Sequence, residues 1–106
     1  MRKEYHKLVR DLIPEHIRLH GDSCATETMV EQDFALALRE KLVEEAREAC
    51  EADILQLPKE LADLYEVIDT LMAIYAISPE QVKAIQERKH SEVGGFEKRI
   101  RLLWTE

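Results

Sequence analysis

Glycine and proline are scarce in this chain, three of each among 106 residues, which leaves little room for a turn-rich β fold. Aromatic residues make up only 6%, while Leu, Ala, Glu, Lys and Arg dominate, a composition that favours helices. There are two cysteines, Cys24 and Cys50, without any metal-type spacing, and no charged-then-apolar signal segment opens the chain. They read as free thiols of a cytoplasmic protein. The longest apolar run, around Ala73 to Ile77, falls far short of the roughly 20 residues that a membrane span needs. The phosphate-loop spacing of a Walker motif is absent. Net charge is −7, which argues against a nucleic-acid partner, because such binding rests on neutralising phosphates with cations.

What is present is enough for one compact domain, residues 1–106, with 45% apolar content and a size near the lower limit for a single core. Charge is unevenly spread. Residues 31–80 hold thirteen Asp or Glu against four Lys or Arg, whereas residues 1–20 carry five basic against three acidic residues and residues 83–101 carry six against three. An acidic middle with basic ends suits a metal–phosphate ligand; solvated basic ends are the plainer reading.

The centre of the chain is a run of two acidic pairs. Phe34, Leu38, Leu42 and Ala49 step along one helical face, and Glu45 falls inside that stripe with Glu48 one turn on. On the next helix Leu64, Val67, Leu71 and Ile74 repeat the pattern, and Glu60 takes the next place back toward the start. Asp63 belongs either beside Glu60 or at the head of a solvated row with Glu66 and Thr70. Two helices joined by a short turn run antiparallel, so both pairs can face each other. Buried carboxylates without partners would neutralise or repel unless a divalent cation collects them. An all-oxygen set suits Mg²⁺ or Mn²⁺ and points to phosphate chemistry. Acidic pairs at this spacing are also common on solvated helix faces, and spacing alone does not separate the two readings.

In chain order, Ile13-Pro14-Glu15 starts a short helix that stops near Gly21. Residues 22–30 read as a polar loop. His6, His16 and His20 read as surface histidines. A long helix runs from about Gln32 to Asp53, and a second starts at Pro58 and continues to Ile77, apolar nearly all round. A helix of that kind must be covered on most sides, which predicts a partner subunit. Ser78-Pro79-Glu80-Gln81 opens a further helix through Lys89. The chain's only glycine pair, Gly94-Gly95, follows, and Arg101 to Glu106 is predicted to pack back on the body.

Tyr5-His6-Lys7-Leu8-Val9-Arg10-Asp11 with Ile13-Pro14-Glu15 resembles the "YNKLVRDKIPEII" opening of a group within the all-α nucleoside triphosphate pyrophosphohydrolases, the MazG-like and phosphoribosyl-ATP pyrophosphohydrolase-like proteins. Glu45-Ala46-Arg47-Glu48 matches the ExxE of that superfamily and Glu60-Leu61-Ala62-Asp63 its ExxD, with eleven residues between. Lys89 to Phe96 is similar to the group's "K…RGGF" ending. His6, Leu12 and Val93 depart from the group's Asn, Lys and Arg. The resemblance implies an all-α fold with a four-helix core, a homodimer or higher homo-oligomer, and Mg²⁺-dependent cleavage between the α and β phosphates. The products would be a nucleoside monophosphate and pyrophosphate, in nucleotide-pool cleansing or in handling a phosphorylated metabolite. It also implies Glu45, Glu48, Glu60 and Asp63 as metal ligands, Glu45 or Glu48 as the base, and Lys7, Arg10, Lys89 and Arg99 as phosphate contacts. A non-catalytic helical oligomer that binds a nucleotide or a protein partner is the alternative.

Overall fold

A computed structural model describes residues 1–106 as four α-helices and no strand: α1 (Ile13–Leu19), α2 (Glu31–Glu51), α3 (Leu57–Ile74) and α4 (Pro79–Val93). The all-α class expected from composition is therefore present. No helix is long and apolar enough to cross a membrane.

The organising unit is the α2–α3 pair. Glu31 and Asp33 place acidic side chains in the first turn of α2, where the helix dipole favours them. The helix ends two residues before the predicted Asp53, for a local reason. Asp53 turns the chain, its Oδ1 accepting from Gln56 N at 2.9 Å and its carbonyl from Leu57 N at 2.9 Å. Pro58 then sits in the first turn of α3, the position proline tolerates best. Arg39 of α2 donates to the Tyr75 hydroxyl at the end of α3, while Glu45 of α2 meets the start of α3. The two helices are thus antiparallel, with Leu38 and Val67 buried between them.

α3 stops at Ile74, three residues short of the predicted Ile77. Ala76 takes a left-handed φ of 52°, its N–H bonds to Ala73 O, and Ile77 N reaches back to Met72 O at 2.9 Å. This is the closure that usually recruits glycine, made here by alanine. α4 begins as the sequence predicts, with Ser78 Oγ accepting from Gln81 N at 3.0 Å, and it extends past Lys89 to Val93.

One chain leaves most of its apolar surface open. α1 and α4 bury no residue, and Leu102, Leu103 and Trp104 are exposed, so the expected packing of residues 101–106 onto the body is absent. The radius of gyration is 18.4 Å, against about 13 Å for a compact domain of this length. Accessible surface is 10134 Å², against about 6,100 Å² for a folded monomer of this mass. Besides the stripe that meets α2, α3 carries a second one, Leu61, Tyr65, Ile68, Met72 and Tyr75, of which Leu61, Tyr65 and Tyr75 lie open.

Candidate metal centre

Glu45 occupies a core position because the stripe of α2 runs through it: Leu38 lies two turns before it and Ala49 one turn after. Antiparallel packing then sets it opposite the first turn of α3, which supplies Glu60, and Asp63 follows one turn later. One carboxylate oxygen from each of Glu45, Glu60 and Asp63 lies within 4.8 Å of the others. Asp63 therefore stands beside Glu60, which decides between the two places open to it in sequence. The side chains are 9%, 15% and 28% exposed in that order.

Two oxygens decide what the cluster can do. Glu45 Oε2 and Glu60 Oε2 are buried and have no hydrogen-bond partner. Buried polar atoms are almost always satisfied, and an unpaired buried carboxylate oxygen is costly. Two of them beside a third carboxylate fit a divalent cation with hard oxygen preference, Mg²⁺ or Mn²⁺, and the donor set holds no nitrogen or sulfur that would favour zinc.

The remaining oxygens are held by cations. Lys41 Nζ lies 3.2 Å from Glu44 and 3.6 Å from Glu45, and Lys59 Nζ lies 3.3 Å from Asp63 and 3.6 Å from Glu60. Arg10 reaches Asp63 Oδ1 at 2.9 Å, and Lys7 donates to Glu44 Oε1 at 2.8 Å. Lys7 and Arg10, two of the four expected phosphate contacts, therefore stand at the rim of the cluster. Glu44, Lys41 and Lys59 were not singled out in the sequence. The two lysines sit one helical turn before Glu45 and Asp63, a spacing that marks such pairs.

The hydrogen bond to Glu44, and then its charge, raises the Lys7 ammonium above its ordinary 10.5. The same bond, followed by those from Lys41, holds the Glu44 carboxyl below its ordinary 4.5. The hydrogen bond to Asp63 raises Lys59. A depressed carboxyl stabilises the fold above its unfolded pKa and loses that contribution as pH falls through the folded value. A raised lysine contributes below 10.5 and loses it above its folded value. The Lys7–Glu44 link is thus intact from mildly acidic to mildly alkaline pH. Carboxyl-carbon NMR should place the Glu44 midpoint below those of the exposed glutamates, and Lys7→Gln should bring it up toward them. An unmoved midpoint would mean that Lys7 does not hold Glu44.

The other expected site residues lie elsewhere. Glu48 is exposed and outside the group of three, since a three-residue step rotates it away from Glu45 on the helix. It is still close enough for its charge to help hold the proton on Lys7. Lys89 is exposed on α4, and Arg99 follows the glycine pair in a left-handed conformation of φ 56°. Neither is brought to the cluster within one chain. Arg88, the nearest substitute for the arginine missing at Val93, pairs with Glu92 on its own helix at 3.4 Å. A shallow, open cleft lies between Leu36 and Tyr75, at the other end of the α2–α3 pair from the acidic cluster.

No protein-family model, curated protein or solved structure matches this chain.

Proposed function

We propose that this chain is a Mg²⁺-dependent nucleoside triphosphate pyrophosphohydrolase of the MazG-like kind, cleaving between the α and β phosphates and acting as a cytoplasmic homodimer or higher homo-oligomer. The observation that carries the reading is the pair of buried, partnerless oxygens of Glu45 and Glu60 beside Asp63. The sequence resemblance selects phosphate chemistry among the uses of such a site.

Glu45, Glu60 and Asp63 would hold the cation through one oxygen each. When bound, Mg²⁺ supplies charge neutralisation of the phosphates and acidifies water. Glu48 makes no ion pair and stands near Lys7 at the rim of the cluster, so it is the carboxylate left free to accept the proton of the attacking water. The water oxygen forms the new bond to the α-phosphorus, the bond from that phosphorus to the bridging oxygen breaks, and pyrophosphate carries away the electron pair. Lys7 and Arg10 stand where they can meet the phosphates, while Lys89 and Arg99 enter the reading only if assembly brings α4 over a site.

The oligomer is supported by surface. One chain exposes about 4,000 Å² more than a folded monomer of its mass, well above the ~800 Å² per partner of a standard interface.

Pyrophosphate release from a panel of ordinary, deoxy and damaged nucleoside triphosphates tests the reaction. Release is expected with Mg²⁺, absent with chelator, and lost in Asp63→Asn. Undiminished release in that variant would contradict the assignment. The substitution of Val93 for the group's Arg favours the second reading, a non-catalytic nucleotide- or partner-binding oligomer. Calorimetric binding of nucleotide with Mg²⁺ but no product would select it.

A further inference from the structure

Residues 1–12 carry no helix or strand, yet they are tied to both long helices. Lys7 bonds Glu44 on α2, and Arg10 bonds Asp63 on α3 with Glu66 3.9 Å away. Three residues of extended chain reach about 10 Å, which matches the distance between two packed helix axes. Leu8, between the two cations, is the one half-buried residue of the segment. The segment is a strap across the mouth of the acidic cluster.

The strap competes for a ligand. Both oxygens of Asp63 are engaged, Oδ1 by Arg10 and Oδ2 by Lys59. A divalent cation that uses Asp63 must take one of them. Lys59 is one turn before Asp63 on the same helix and is kept there by α3 itself. Arg10 is 57% exposed and Lys59 67%, so both are exposed pairs of the weak kind. What separates them is the tether: Lys59 is held one turn away on the same helix, whereas Arg10 comes from irregular chain and can swing clear, so Arg10 is the partner that yields.

On the metal-centre reading above, we propose that the Lys7–Arg10 strap is an exchangeable countercharge. It neutralises the rim of the cluster in the metal-free protein and gives up Asp63 when a divalent cation enters. The Arg10 guanidinium then turns onto the triphosphate that follows, while Lys7 stays on Glu44 and anchors the strap. A guanidinium released from one carboxylate presents the same forked donors to a phosphate. The exchange makes the strap a competitor of the metal and an ally of the phosphate, so removing its charge must move the two affinities in opposite directions.

The test uses the full chain, with Mn²⁺ alone as the first probe, followed by electron paramagnetic resonance of the free ion. Inorganic tripolyphosphate at saturating Mn²⁺ is the second probe, followed by calorimetry. Arg10→Gln is expected to bind Mn²⁺ about fivefold more tightly, the release of an exposed ion pair at the upper end of its range. It is expected to bind tripolyphosphate about tenfold more weakly, the loss of one charge-assisted contact. Lys3→Gln removes the same charge from the same segment without touching a carboxylate, and should change neither. Circular dichroism confirms that each variant keeps its helices. Arg10→Gln that binds Mn²⁺ no more tightly than the unsubstituted chain overturns the exchange while leaving the metal centre standing. Mn²⁺ binding absent from the unsubstituted chain overturns both.

Discussion

Glu45→Gln is expected to melt at a higher temperature than the unsubstituted protein in the absence of metal, and to gain nothing when Mg²⁺ is added. The carboxylate is nine-tenths buried, faces Glu60 and Asp63, and leaves Oε2 without a partner. An amide of the same shape removes the charge and adds two N–H donors, one of which can meet the orphaned Glu60 Oε2. Lys41 loses little, since Glu44 lies nearer to it at 3.2 Å. Relieving one unsatisfied buried group stabilises by about 1–3 kcal/mol. At fixed protein concentration, ~1 kcal/mol is worth roughly 4–8 °C in a domain near this size. The unsubstituted protein, by contrast, should be stabilised by about 2.7 kcal/mol in Mg²⁺ at 100 times its dissociation constant. The variant should also lose about 100-fold or more in turnover, since even groups behind a metal ligand cost 10- to 100-fold. Differential scanning calorimetry with and without Mg²⁺ reads both stability effects. A metal-free variant that melts lower would mean that the carboxylate is satisfied by something other than a cation.

Leu61→Asp should take the protein apart. Three residues are buried in one chain, Leu38, Val67 and Glu45, and two apolar side chains do not offset the chain entropy of 106 residues. The second stripe of α3 is where a further surface belongs, with Leu61 and Tyr65 one turn apart and both open. Sedimentation equilibrium is expected to give at least two chains per particle. An uncompensated charge placed in the joint weakens association by at least about 3 kcal/mol per copy, which should yield monomer or unfolded chain at micromolar concentration. A monomeric unsubstituted protein with a cooperative melt would contradict this. So would a variant that sediments unchanged.

Glu45 was legible in the sequence because it interrupts an apolar stripe, and the structure buries it for the same reason. Glu60 was legible from its place in the stripe of α3. Asp63 was not fully so, because periodicity puts it equally well beside Glu60 or at the head of a solvated row; only the antiparallel partner decides. Glu48 shows the limit of a three-residue step, which keeps two side chains on one side of a helix without aiming both at one point. The ties from Lys7 to Glu44 and from Arg10 to Asp63 join residues 37 and 53 apart, and no local period encodes them. The end of α3 is not legible in the sequence, because the closing residue at positive φ is Ala76, which carries none of glycine's signal. Residues 101–106 read as packed because Leu102, Leu103 and Trp104 are apolar, and these three stand exposed because one chain offers them no surface.

The proposed reaction is the cleavage of a triphosphate at its α-phosphorus, directed by Glu45, Glu60 and Asp63. Phosphorus NMR of the best-cleaved nucleoside triphosphate, with Mg²⁺ in oxygen-18 water, tests it most directly. The expected products are pyrophosphate and a monophosphate that carries the isotope, with turnover at least about 100-fold lower in Glu45→Gln. Orthophosphate and a diphosphate as products, the isotope on pyrophosphate, or turnover undiminished by the substitution would contradict it.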